Sequence, residues 1–203
     1  MDDVVNFADI GGGRTVRAAT SDDIAQIRAH LIEAIDTSPY YNDAFKANEK
    51  ARLGTDFIFA LIAANPWYVP IISYKGKMAG FILTTPEQGV LCAAWIYVSP
   101  HFRQTSIAIA AIGFLIRRWD HGRFHKISCY IRPDNARAEA VMKHFGFEQT
   151  ALLRTHMFGE DYLLLERPLT KSADGYDKGP QLGRINLARL KIKHALRAGG
   201  LLR

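Results

Sequence analysis

A mixed α/β (α+β) fold, with a central sheet of six to seven strands flanked by helices and a basic C-terminal helical tail, follows from three observations. First, three apolar runs at residues 67–74, 78–84 and 90–98 are separated by two short turn signals, Lys75-Gly76-Lys77 and 86–89. That spacing predicts an antiparallel meander. Second, the strand-like runs that follow alternate with helical ones, so the later strands join the sheet through crossovers. Third, 203 residues with 48% hydrophobic content supply one sizeable core.

The elements follow in order. Residues 1–13 read as a flexible lead-in, because Gly11-Gly12-Gly13 precedes a strand and no Lys-Ser/Thr follows it, which excludes a P-loop. Residues 14–18 form a short β-like run. Thr20 with Asp23 makes a capping-box pattern, after which Ile24, Ile27, Leu31 and Ile35 mark one apolar helical face. Beyond the Ser38-Pro39-Tyr40-Tyr41 break, residues 43–64 read as helical with an interruption near Gly54, ended by Asn65-Pro66. The meander comes next. Residues 104–119 then predict an apolar helix, 125–131 a strand, 135–144 a helix, and 148–156 with 161–167 two closing strands around Phe158-Gly159. The domain therefore spans 14–169. Residues 170–182, rich in Gly, Asp, Ser and Pro, read as a linker, and 183–203 as a basic helix stopped by Gly199-Gly200.

The net charge of +6 is unevenly placed. Residues 1–167 hold 18 basic and 18 acidic side chains, whereas 168–203 hold 8 and 2. The body is neutral, and only the tail is a polycation. Its Arg184, Arg189, Lys191, Lys193 and Arg197 interleave with Ile185, Leu187, Leu190, Ile192 and Leu196. Two readings stand: a solvated helix resting on its own domain, or a tether through 184–203 to a protein assembly or nucleic acid. The longest apolar run, 107–116, is too short for a membrane span. The acidic N-terminus lacks the features of a secretory signal, and Cys92 and Cys129 lie in apolar strand-like runs. Both points predict a cytoplasmic protein with reduced thiols. His121, His125 and Cys129 have a metal-like spacing, but Gly122 and the strand that follows break their alignment, so no metal is expected.

The chemistry concentrates at residues 98–108, between a strand and a long helix. A diphosphate needs several backbone amides converging on one concavity, and a tight loop feeding a helix N-terminus provides them. Small residues let the backbone approach closely, and Arg103 adds positive charge at the rim. Val98, Pro100, Phe102, Arg103, Ser106 and Ala108 here resemble the acyl-CoA-binding loop of the GNAT superfamily of N-acyltransferases. A second family element follows as Asn135, Ala138, Gly146 and Phe147, in the right order, and the resemblance spans about residues 14–169.

This resemblance implies acetyl-CoA as co-substrate, with its diphosphate on Arg103, Gln104, Thr105, Ser106, Ile107 and Ala108. It places pantetheine beside Val98, in a gap splayed open between strands 90–98 and 125–131. Asn135 is expected either at the pantetheine or holding the final helix. Ser106 stands where the family has Gly: it weakens the cradle if that position needs positive φ, or donates a hydroxyl if it opens the helix. The family's usual proton donor, a Tyr on the last helix, is Met142 here, and residues 91–98 contain no carboxylate. Tyr97 is the candidate catalytic substitute, with His144 behind it. Tyr40 and Tyr41 fall where acceptors often bind. The expected function is direct acetyl transfer to a small-molecule or protein amine. The alternative is a catalytically degenerate member with a binding or structural role in a larger assembly, such as a phage particle.

Overall fold

The computed structural model describes residues 7–103, 105–179, 188 and 192. Eight strands form one sheet in the order β1-β2-β3-β4-β5-β6-β8-β7. They are β1 (Phe7–Gly11), β2 (Arg14–Ala18), β3 (Pro70–Tyr74), β4 (Lys77–Glu87), β5 (Val90–Val98), β6 (Lys126–Ile131), β7 (Glu148–Met157) and β8 (Glu160–Pro168). The strand beyond the expected seven is β1. Residues 7–11, expected within a flexible lead-in, pair antiparallel with β2. The reason is the glycine run, whose Gly11, Gly12 and Gly13 all adopt positive φ (83°, 64° and 73°) and so form a hairpin turn.

Within residues 7–179, five helices accompany the sheet: α1 (Ile24–Thr37), α2 (Asp43–Arg52), α3 (Thr55–Ala64), α4 (Ile107–Trp119) and α5 (Ala136–His144). The α1 face is the expected one, with Ile27, Leu31 and Ile35 buried. At its entrance the Asp23 carboxylate accepts the Thr20 amide at 2.8 Å and is paired with the Arg17 guanidinium at 2.6 Å. Asn42 caps α2 through its side-chain oxygen, 2.9 Å from the Phe45 amide. Gly54 separates α2 from α3. Ala79, Phe81, Ile82, Leu83 and Thr84 of β4 are all buried, so helices cover both faces of the sheet centre.

Two irregularities position the site. The only parallel pairing among the described residues joins Val90, Leu91 and Cys92 of β5 to Lys126, Ile127 and Ser128 of β6. From residue 93 onward β5 pairs with β4 alone, while β6 continues against β8, so a wedge opens between β5 and β6. At the apex of this wedge the β4–β5 register slips: Leu83 faces Trp95 and Thr84 faces Ala93, leaving Ala94 as a bulge.

The expected linker is docked as far as residue 179. Thr170 donates its amide to Asp120 Oδ1 at 2.6 Å, Ser172 its hydroxyl to the His121 carbonyl at 2.7 Å, and Gly89 its amide to the Asp177 carbonyl at 3.0 Å. The buried Tyr68 hydroxyl bonds the Asp177 carboxylate. Polar, glycine-rich composition suits a strap held by hydrogen bonds as well as it suits a linker. The expected basic tail, 183–203, lies outside the described residues save Ala188 and Ile192, both exposed.

Candidate functional site

The cradle begins where β5 ends. Val98 is its last residue, opposite Gly80 of β4. A Cβ on Gly80 would lie 2.3 Å from the Tyr97 carbonyl oxygen, so only glycine admits this close strand approach. A single 3-10 turn, Pro100–Phe102, then leads to α4. Thr105 donates its amide to the Phe102 carbonyl at 3.0 Å and its hydroxyl to the same oxygen at 2.6 Å. Ser106 has φ −78° and ψ 26°, ordinary values for an L residue. The family's glycine is therefore not needed here for its backbone freedom. The Ser106 hydroxyl caps nothing in α4; it bonds the Arg14 guanidinium on β2.

The α4 ladder opens with the Ala110 amide on the Ser106 carbonyl at 2.9 Å. That leaves the first-turn amides of Ile107, Ala108 and Ile109 directed out of the helix end, with the positive pole of its dipole. Arg103 lies on the exposed rim, and its carbonyl accepts Arg137 Nη2 of α5 at 3.3 Å. Gln104 lies outside the described residues. Asn135 is the α5 N-cap, its Oδ1 3.2 Å from the Ala138 amide.

At the other end of the wedge lies a cavity of about 620 Å³. Cys92, Ala93 and Ala94 of β5, Ser128 and Tyr130 of β6 and Tyr162 of β8 line it, facing Tyr41, Phe45 and Glu49 from α2 and the segment before it. Tyr41 stacks on Phe45 at 4.3 Å and meets Trp95 edge-on at 5.6 Å. Glu49 is 5% exposed and accepts three hydrogen bonds, two from Arg52 at 2.8 and 2.9 Å and one from Trp95 Nε1 at 2.9 Å. It serves as a wall fixture rather than a free base. Burial pushes the Tyr41 hydroxyl up to about 12 and raises Tyr162, Tyr130 and the Cys92 thiol above their ordinary values.

Tyr97, the candidate proton donor, is 4% exposed and is not among the residues lining this cavity. Its ring stacks on Phe81 at 5.2 Å and on His30 at 4.8 Å. Its hydroxyl stands 3.0 Å from His30 Nδ1 and 3.2 Å from Glu33 Oε2, both on α1. Burial and then the Glu33 charge raise its pKa. Strand alternation puts Tyr97 on the α1 side, where two polar partners flank an otherwise apolar helix stripe. That pair, interrupting the Ile27–Leu31 face, was the signal available in the sequence.

A family model described as the acetyltransferase (GNAT) family matches residues 30–147, more than half of the chain. The chain belongs to the GNAT acetyltransferase family. No curated protein matches the sequence. Solved GNAT structures share the fold at low identity. The ribosomal-protein-S18-alanine N-acetyltransferase of Escherichia coli is 19% identical, with TM-score 0.56, covering 81% of this chain and 99% of its own. Naa50 of Arabidopsis thaliana, solved with a bisubstrate analogue, gives 16% and 0.56 over 77% and 99%. The Salmonella typhimurium protein yncA, solved with acetyl-CoA, gives 18% and 0.57 over 85% and 100%.

Among GNAT features, the last-helix position usually held by Tyr is Met142, 3% exposed and packed into the core. His144 is an exposed last residue of α5 that meets the Phe145 ring edge-on. Tyr41 reaches the cavity, whereas Tyr40 does not line it. No group of three or more His, Cys, Asp or Glu among the described residues can hold a metal ion. No helix among them is long and apolar enough to cross a membrane.

Proposed function

We propose that this chain is an acetyl-CoA-dependent N-acetyltransferase that transfers the acetyl group directly to an amine. The observation that carries this reading is that one strand, β5, runs from the cavity at the Ala94 bulge, past an edge released by β6, to the loop that opens α4. The residues suit the cofactor: β5 beyond residue 93 presents a backbone edge that β6 leaves unpaired, and unpaired backbone groups need a partner. The coenzyme supplies an activated thioester. The chain supplies the rest. Amides of Ser106, Ile107 and Ala108, with Arg103, hold the diphosphate. The β5 edge at Val98 and Ile96 pairs with the pantetheine, and the bulge at Ala94 turns backbone toward the carbonyl. Tyr41, Trp95 and Tyr130 wall the amine's approach, so catalysis rests on proximity. Their raised pKa makes the Tyr41 and Tyr130 hydroxyls weak acids, so the departing thiolate takes the proton that the acylated nitrogen sheds.

A second reading, binding without turnover, draws support from the buried Met142 and the fully engaged Glu49. Release of free thiol from acetyl-CoA, followed with a panel of small amines and peptide N-termini, separates the two. Amine-dependent release supports the transferase. Tight CoA binding with no release for any acceptor supports the binding role instead.

A further inference from the structure

Charge pairing is uneven across the molecule. Arg17, Arg52, Arg132 and Arg154 each pair with a carboxylate. Arg14, Arg103 and Arg137 make no such pair among the described residues, yet they meet around one loop. Arg137 of α5 grips the Arg103 carbonyl, and Arg14 of β2 grips the Ser106 hydroxyl while its Nε donates to the Gly11 carbonyl at 2.7 Å. The Arg14 and Arg137 guanidiniums are thus held at the residues leading into α4 with no carboxylate partner among the described residues, and like charges held together there favour an anion among them. Arg14 lies outside the span of the family match, so no motif assigns it.

We infer that Arg14 is a further phosphate-binding residue of the cofactor site, held over the cradle by Ser106, and that it replaces electrostatically what the missing glycine offered in close approach. Covalent geometry sets the Ser106 hydroxyl about 3 Å from its own amide, so a guanidinium bonded to that hydroxyl stands within about 6 Å of that amide and within about 9 Å of a phosphate oxygen accepting from it. At that range it strengthens the hold on a polyanion without displacing backbone contacts. The β1–β2 hairpin turn, by fixing Arg14 through the Gly11 carbonyl, thereby becomes part of the cofactor site.

This inference rests on the acetyl-CoA reading above. Calorimetry of CoA binding to the full chain at 50 and 500 mM NaCl tests it. Arg14→Met should weaken binding about tenfold at low salt and only about twofold at high salt, because screening already removes most of its contribution in the parent. Ser106→Ala should move affinity the same way, and the double variant should bind no worse than Arg14→Met alone. Parental affinity in Arg14→Met, or a loss of equal size at both salt concentrations, overturns the inference by making Arg14 irrelevant or merely structural. Should Arg14→Met fail to fold, Ser106→Ala alone decides by the same salt test. If the parent chain binds no CoA, the acetyl-CoA reading itself fails, a result distinct from every variant outcome.

Discussion

The two ends of the β5–β6 wedge are built from different materials. The cradle end relies on backbone: helix amides, an ordinary φ at Ser106, and small residues that leave room. The cavity end relies on side chains from five strands and α2, with aromatic rings, a buried carboxylate and tyrosine hydroxyls. A backbone device tolerates substitution of its side chains, whereas a side-chain device changes with every residue that lines it. On the proposed function, the cofactor chemistry sits in the cradle and the choice of acceptor in the cavity.

Breaking the wedge itself should have the largest effect. Gly80→Ala puts a Cβ 2.3 Å from the Tyr97 carbonyl, a clash with backbone that cannot swing away. It should cost about 3 kcal/mol or more in urea unfolding and remove CoA binding along with the fold. Glu49→Ala should separate the two ends. It strands Trp95 Nε1 and frees Arg52, costing about 2 kcal/mol, and raises the acceptor KM while the CoA Kd stays put. A change in CoA affinity equal to the change in acceptor KM would show that the ends are not independent.

Smaller effects sharpen the roles. Asn135→Ala should lose the α5 cap, about 1 kcal/mol of stability, with kcat unchanged. Tyr97→Phe should lower kcat no more than about threefold, since the hydroxyl serves α1. A proton donor would instead cost about a hundredfold or more.

Asp23 gives the acid limb of stability. Burial alone would raise its carboxyl, but the Arg17 and Thr20 hydrogen bonds outweigh this and hold it below the usual 3.8. The contribution is therefore present above about pH 4 and is lost as pH falls through the lowered folded value. Asp23→Asn should flatten the decline of Tm below pH 4.

The fold was readable because its signals are local. The Lys75-Gly76-Lys77 and Phe158-Gly159 turns, the Ile27–Leu31–Ile35 stripe and the cradle spacing each declare themselves within a few residues. β1 was hidden because the Gly11-Gly12-Gly13 run suits a flexible lead and a hairpin turn equally well until Arg17 is seen opposite Phe7. The strap at 170–179 was hidden because its partners, Tyr68, Gly89 and Asp120, are distant in sequence. The cavity was the least readable part. Tyr41, Trp95, Tyr130 and Tyr162 meet only after the sheet forms, and Tyr97 turned out to face α1 because one strand position decides which side of a sheet a ring occupies.

In the proposed function the cradle takes the cofactor through its amides. Titration of the ¹⁵N-labelled chain with CoA, followed by amide NMR, tests this most directly. The largest shift changes should fall on Ser106, Ile107 and Ala108 and on the β5 edge at Ile96 and Val98, with β7 amides undisturbed. Changes confined to other surfaces, or none at CoA concentrations well above those typical of tight binding, would contradict it.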